Sequence, residues 1–266
     1  MTRTYVITGS ASGIGATTAE TLRTRGEKVI GIDLRNADIE ADLSTPDGRA
    51  SAAARATQLS DGTIDAVIAC AGISAPIPAT ISVNYFGVTE LLTALLPALR
   101  ASDAPRVAVV SSMASLQPNS PELVDAALAG DEPRAIEIAE GLAAQGALIG
   151  YSIYPSSKRA LSRWVRRASI SEDWAGSGIP LNAVAPGTVL TPMTTELLAT
   201  PEGTQMVDAA VPMPLNYHQS PESIAYLLIW LTSSENTHLA GQVIYDDGGA
   251  DATLRGDDIW SWNDPS

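Results

Sequence analysis

Seven short runs rich in β-branched residues punctuate this chain, and most of the gaps between them carry helical periodicity. The strand-like runs fall at residues 5–8, 28–33, 39–42, 64–70, 106–111, 179–184 and 242–245. Helical patterns fall at 13–25, 45–59, 80–100, 151–174 and 221–231. A helix between two strands lets the second strand return beside the first in the same direction, so this rhythm builds a parallel sheet. The expected fold is α/β: a doubly wound, mostly parallel seven-stranded sheet with helices on both faces, in one domain. At 266 residues and 45% hydrophobic, the chain has the apolar content for one such core.

Two segments break the rhythm. Residues 119–150 form an Ala- and Glu-rich pair of short helical patterns, with Pro121 and Pro133 at helix starts, and read as an insertion. Residues 191–215 mix Pro192, Pro201, Pro212 and Pro214 with Met193, Leu197, Leu198, Met206, Val211 and Met213. Rigid turns with soft apolar side chains suit a mobile substrate lid, and equally an ordinary core helix with its loop.

A formal charge of −14 argues against nucleic acid or an anionic membrane as partner. The one basic cluster, Arg159, Arg163, Arg166 and Arg167, has helical spacing and reads as a solvated face. Cys70 is the single cysteine, so no internal disulfide forms; its apolar neighbours suggest a buried structural thiol and a reducing compartment. No leader precedes the first strand and no apolar stretch reaches the ~18 residues of a membrane span, so a soluble cytoplasmic protein is expected. His218 and His238 sit among polar residues outside any Cys/His set, and no metal site is expected.

Chemistry enters with Tyr154 and Lys158. Of 16 basic residues only two are Lys, and this one stands four places after a Tyr on a helical pattern. A cation near a phenol favours the phenolate, which makes Tyr154 a candidate general acid/base. Tyr151 is a weaker candidate at two turns from Lys158. Between the first strand and the first helix lies Thr8-Gly9-Ser10-Ala11-Ser12-Gly13-Ile14-Gly15. Glycines there allow a tight turn and close backbone approach, so that a pyrophosphate can sit on the helix N-terminus. Asp33, at the end of the second strand, can accept hydrogen bonds from both adenosine ribose hydroxyls and would repel a 2′-phosphate, which favours NAD over NADP. Arg35 just beyond it is the residue that could reach such a phosphate.

The glycine turn, Asp42-Leu43, Cys70-Ala71-Gly72, Asn84, Ser111-Ser112, Tyr154-x-x-x-Lys158, Pro186-Gly187-Thr188-Val189-Leu190-Thr191 and Asp246-Asp247-Gly248-Gly249 occur in the order of the short-chain dehydrogenase/reductase family. The chain resembles that family over nearly its whole length, with Cys70 where the family usually has Asn. The resemblance implies a Rossmann-type fold and four catalytic residues. Tyr154 would exchange a proton with the substrate oxygen, Ser112 would hydrogen-bond that oxygen, and Lys158 would lower the Tyr154 pKa and hold the nicotinamide ribose. Asn84 would anchor a proton-relaying water. Gly9, Ser12, Gly13, Ile14, Gly15, Asp33, Asp42, Leu43, Cys70, Ala71, Gly72, Tyr154, Lys158, Pro186, Gly187, Val189 and Thr191 would hold NAD. Ser111 is the alternative to Ser112.

The expected activity is NAD-dependent interconversion of a bulky hydrophobic alcohol and its ketone or aldehyde, the alcohol being a steroid, a terpene, or an aryl or allylic alcohol. Met113, Met193, Leu197 and Met206 are the expected substrate contacts. An NAD-binding sensor without turnover is the alternative from another class. The resemblance also implies a homo-oligomer, a dimer rather than a tetramer. Trp260 and Trp262 are expected to pack on the body, on a partner subunit or over the substrate mouth.

Overall fold

The computed structural model describes residues 2–263. Its strands are β1 (Thr4–Thr8), β2 (Lys28–Asp33), β3 (Ile39–Glu40), β4 (Ala66–Ala69), β5 (Arg106–Val110), β6 (Leu181–Pro186) and β7 (Val243–Asp246). They form one sheet, parallel throughout, in the order β3-β2-β1-β4-β5-β6-β7. The helices are α1 (Gly13–Thr24), α2 (Pro46–Leu59), α3 (Ala79–Ile81), α4 (Gly87–Arg100), α5 (Pro121–Ala129), α6 (Glu132–Ala143), α7 (Ala147–Gly150), α8 (Ile153–Ala168), α9 (Pro192–Thr195), α10 (Pro201–Ala210), α11 (Pro221–Leu231) and α12 (Ala250–Arg255).

Alternate side chains of one strand enter different cores, as the two-residue period of a strand requires. Tyr5 and Ile7 of β1 join Ala66 and Ile68 of β4, Leu22 of α1, and Ile224 and Leu228 of α11. Val6, Val67 and Val107 point the other way, into the core that holds Leu91 and Leu95 of α4 and Leu161 and Val165 of α8. Helices therefore cover both faces. β1 pairs with β2 on one side and β4 on the other, so the connections leaving these central strands diverge and open a crevice at their C-terminal ends.

Several boundaries differ from the sequence expectation. The third strand stops at Glu40, and Asp42 lies past it, its Oδ1 accepting from the Ser44 amide at 2.9 Å to set the next turn. The helix expected at 80–100 is α3 and α4 joined through a π-helical turn at Ser82–Phe86. By length and composition the whole run Ala79–Arg100 is apolar enough to cross a membrane, which corrects the expectation that no stretch reaches that length. Some 72% of its most apolar window is buried among the other elements, as befits a core helix. α8 ends at Ala168 rather than at 174, because Ser169 Oγ turns back onto the Arg166 carbonyl and Trp174 packs edge-on against Trp164 with ring centres 5.8 Å apart.

Ser120 and Asp131 cap α5 and α6 by accepting from the Leu123 and Arg134 amides. Buried Arg49 of α2 reaches Glu90 of α4 at 3.1 Å and Glu132 of α6 at 2.6 Å, clamping that segment to the body. Of the four clustered arginines, Arg163, Arg166 and Arg167 are exposed; Arg159 is half-buried and donates to the Ser115 carbonyl. Trp260 and Trp262 are 69% and 84% exposed, so packing on the body does not account for them.

Candidate active site

One cleft opens over the crevice between β1 and β4. Asp33, Asp42 and Leu43 line it on the β2 side; Ser112, Tyr154, Lys158 and Thr191 line it beyond β5. The glycine turn forms its floor. Gly9 has φ +67°, and a Cβ there would stand 2.8 Å from the Ala71 amide nitrogen. A Cβ on Gly15 would overlap the Gly9 carbonyl oxygen. The turn, the start of α1 and the end of β4 thus close together only with glycine at these positions. Ser12 caps α1 with extended backbone and no side-chain hydrogen bond, so the first amides of α1 face the cleft unshielded by a cap.

Asp33 accepts from the Ala11 amide at 3.0 Å through Oδ2 and from the Leu34 amide at 2.7 Å through Oδ1. Each oxygen keeps a lone pair for a further donor. Arg35 is exposed and Leu34, not Arg35, lines the cleft beside Asp33. Cys70 is half-buried at the cleft wall, not enclosed as expected, and desolvation pushes its thiol up to about 12 against a weaker opposing pull from Lys158. Such a thiol is a poor nucleophile at neutral pH. Ala71 is held through its amide by Thr8 Oγ1 at 3.0 Å.

Ser112, Tyr154 and Lys158 converge at the far end. Ser112 and Tyr154 line this end of the cleft together; the Ser112 side chain lies close enough to the phenol to lower its pKa, and its Oγ accepts from the Ala114 amide at 3.1 Å. Lys158 is buried, its Nζ donating to the Val110 carbonyl at 2.8 Å and lying 5.9 Å from the Tyr154 ring centre. Burial lowers Lys158 to about 8 and raises Tyr154 to about 12; Ser112 pulls the phenol back down. The expected lowering of the Tyr154 pKa by Lys158 is therefore not what these residues produce among themselves: desolvation raises the phenol, and the lowering influence is that of Ser112. Ser111 is buried with its Oγ 2.7 Å from Ser162 Oγ and 3.2 Å from the Lys158 carbonyl, a tie between β5 and α8, so Ser112 is the serine that meets the phenol. Tyr151 is 43% exposed.

Asn84 sits in the π-helical turn, fully buried. Its Oδ1 accepts from the Ile73 amide at 2.9 Å, and its Nδ2 donates to the Ile73 carbonyl at 2.9 Å and to Ser157 Oγ at 3.0 Å. Both amide hydrogens of Asn84 are engaged within the protein.

Gly13, Ile14, Gly72, Pro186, Gly187 and Val189 also line the cleft. Thr191 caps α9 in a capping box with Thr194 and stands 3.4 Å from where a Gly13 Cβ would be. Of the expected substrate contacts only Met193 lines the cleft. Met113 is 1% exposed, its sulfur turned to Gln117, and so belongs to the core; Leu197 and Met206 are exposed away from the cleft. Ile73, Val110 and Thr194 line it without having been anticipated. Thr194 was readable, three residues past Thr191 as a capping box demands. Val110 was not, since it contributes a backbone carbonyl.

A model of the short chain dehydrogenase family matches residues 3–127, and one described as enoyl-(acyl carrier protein) reductase matches residues 126–251. The 3-alpha-hydroxysteroid dehydrogenase/carbonyl reductase of Comamonas testosteroni is 37% identical over 94% of this chain and 97% of its own. This chain belongs to the short-chain dehydrogenase family. A crystal structure of the 3-alpha-hydroxysteroid dehydrogenase from Pseudomonas sp. B-0831 complexed with NADH superimposes with a TM-score of 0.87 at 40% identity, covering 96% of this chain and 100% of that one. A coniferyl-alcohol dehydrogenase of Pseudomonas sp. strain HR199 is 26% identical over 93% of this chain and 96% of its own. The family's members are oxidoreductases that bind a nicotinamide cofactor, and the cleft fits such a group: a glycine-only floor, an uncapped helix N-terminus and a carboxylate with free lone pairs lie along one crevice.

Proposed function

We propose that the protein is an NAD-dependent oxidoreductase that interconverts a bulky hydrophobic secondary alcohol, a hydroxysteroid or a cyclic terpene alcohol, and its ketone. The observation that carries this reading is the convergence of Ser112, Tyr154 and Lys158 at the end of a cleft whose other end holds Asp33. Ser112 and Tyr154 hold the alcohol oxygen between them. Tyr154 takes its proton in oxidation and returns it in reduction. Lys158, fixed by Val110, keeps an ammonium close to the phenol and within reach of a ribose in the cleft. A bound oxidised nicotinamide would supply the hydride acceptor and a positive charge that favours the phenolate. With no such charge the phenol stays protonated at neutral pH, the form suited to donate in carbonyl reduction.

Asp33 supports NAD, since its charge opposes a 2′-phosphate and both its oxygens can accept from ribose hydroxyls. Met193 on the cleft supports a hydrophobic substrate. We place the protein in the cytoplasm as a homodimer, in which the sheet edge at β7 and the exposed Tyr226 and Trp230 of α11 meet a second copy.

The test is NADH or NADPH formation from hydroxysteroids, cyclic terpene alcohols and cinnamyl-type alcohols, each with NAD and with NADP respectively. Turnover of a hydroxysteroid or cyclic terpene alcohol with NAD is expected. Turnover of cinnamyl-type alcohols alone would replace the substrate class, and NAD binding with no turnover of any alcohol would favour the sensor.

A further inference from the structure

The first turn of α8 is short of backbone hydrogen bonds. Pro155 has no amide hydrogen to offer, and the Tyr154 amide reaches the Tyr151 carbonyl at 3.0 Å in a tight three-residue turn. Two serine hydroxyls brace this turn. Ser156 Oγ donates to the Ser152 carbonyl at 2.6 Å and accepts from the Ser120 amide at 2.9 Å, which ties the turn to α5. Ser157 Oγ donates to the Tyr154 carbonyl at 2.7 Å and accepts from Asn84 Nδ2 at 3.0 Å.

The Ser157 connection leads into the cofactor wall. Asn84 grips the Ile73 amide and carbonyl together, and Ile73 follows Gly72, where a Cβ would lie 3.5 Å from Lys158 Nζ. An unbroken chain thus runs from the Ile73 backbone through the Asn84 amide and the Ser157 hydroxyl to the carbonyl of Tyr154. Ser157 and Asn84 are both completely buried, so no solvent molecule substitutes for either partner. Ser157 has one hydrogen to give and gives it to Tyr154, and Asn84 has no other acceptor for its second hydrogen.

We infer that Ser157 is a positioning residue for the reaction: its hydroxyl fixes the distance between the Tyr154 phenol and the cleft wall at Gly72 and Ile73, part of the lining that would hold the cofactor. The inference rests on the oxidoreductase reading. Loss of the hydroxyl frees the first turn of α8 from the wall while the adenosine side of the cleft, at Asp33 and the glycine turn, is untouched. The phenol is then misplaced relative to the reacting carbon, a fault that shows in the chemical step and not in cofactor capture.

The experiment compares native protein with Ser157→Ala and Ser157→Cys. It measures NAD affinity by fluorescence titration, and kcat, KM and the pH profile of kcat with the alcohol turned over fastest by the native protein. The expected result is a fall in kcat on the order of tenfold or more for Ser157→Ala, with NAD affinity within about twofold of native and the alkaline rise of the profile displaced. Combining it with Asn84→Ala should add little to the loss of either alone, because the two act as one chain. A kcat within twofold of native with an unmoved profile would overturn the inference. So would a parallel loss of NAD affinity, kcat and melting temperature, which would mark a merely structural role. If Ser157→Ala gives no folded protein, Ser157→Cys decides by the same criteria, since it keeps the volume while weakening both hydrogen bonds. A native protein that binds NAD but oxidises no alcohol contradicts the oxidoreductase reading itself, a result distinct from any difference between variants.

Discussion

Lys158 Nζ lies 2.8 Å from the Val110 carbonyl oxygen and 5.9 Å from the centre of the Tyr154 ring, so the lysine of α8 is anchored to the sheet while it faces the phenol. Burial holds Lys158 down at about 8 and Tyr154 up at about 12. The two directions of the reaction should separate with pH. Alcohol oxidation needs the phenolate and should speed up as pH rises from about 6 to 10, whereas carbonyl reduction needs the phenol and a charged Lys158 and should slow above about 8. Initial rates in both directions check this, and parallel profiles would contradict it.

The same lowered pKa has a consequence for stability. In the window between about 8 and the ordinary lysine value of 10.5, the unfolded chain holds a proton that the folded one has lost. Stability from this group is thus fully present above the unfolded value and is lost as pH falls through about 8. Denaturation of native protein and Lys158→Met at pH values spanning that window should show the native protein gaining on the variant as pH rises, by up to about 1.4 kcal/mol per unit. A pH-independent difference would show that Lys158 keeps its proton throughout.

Gly9→Ala should open the cleft floor. The left-handed backbone and the approach of Ala71 together oppose a side chain, at a cost of about 1–3 kcal/mol. NAD affinity should fall on the order of tenfold, read by calorimetry, with the melting temperature lowered as well.

Asp33→Ser keeps an acceptor for the Ala11 amide but removes the charge that opposes a 2′-phosphate. The ratio of kcat/KM for NAD over NADP should drop by roughly tenfold or more. An unchanged ratio would mean that discrimination lies elsewhere.

Arg49→Met should cost about 3–5 kcal/mol of stability, because Glu132 is left largely buried without its partner while Glu90 can turn to solvent. Arg49→Lys should recover little, since an ammonium cannot bridge the two carboxylates as the guanidinium fork does. Chemical denaturation measures both.

Much of this architecture was legible in the chain. β-branched runs marked the strands, and Pro121 and Pro133 marked helix starts where Ser120 and Asp131 supply the caps. Periodicity placed Tyr154 and Lys158 one turn apart on α8. What it could not carry was contact between distant backbone groups. The π turn that turns Asn84 toward Ile73 leaves no mark in hydrophobic spacing, and the Val110 carbonyl that holds Lys158 could belong to any residue type. Met113 was misplaced because an apolar side chain beside Ser112 suits the core as well as a substrate, and packing alone decides between them. The Tyr154 pKa was misjudged because burial, which raises it, is invisible until the fold encloses the phenol.

Tyr154→Phe tests the central claim most directly, because it removes one oxygen and leaves the cleft lining otherwise intact. NAD affinity should stay within about twofold of native while turnover of every alcohol in the panel falls by at least about a thousandfold, the loss expected when a proton-transfer group is removed. Turnover near the native rate, with NAD still bound, would contradict the assignment of Tyr154 as the residue that moves the proton.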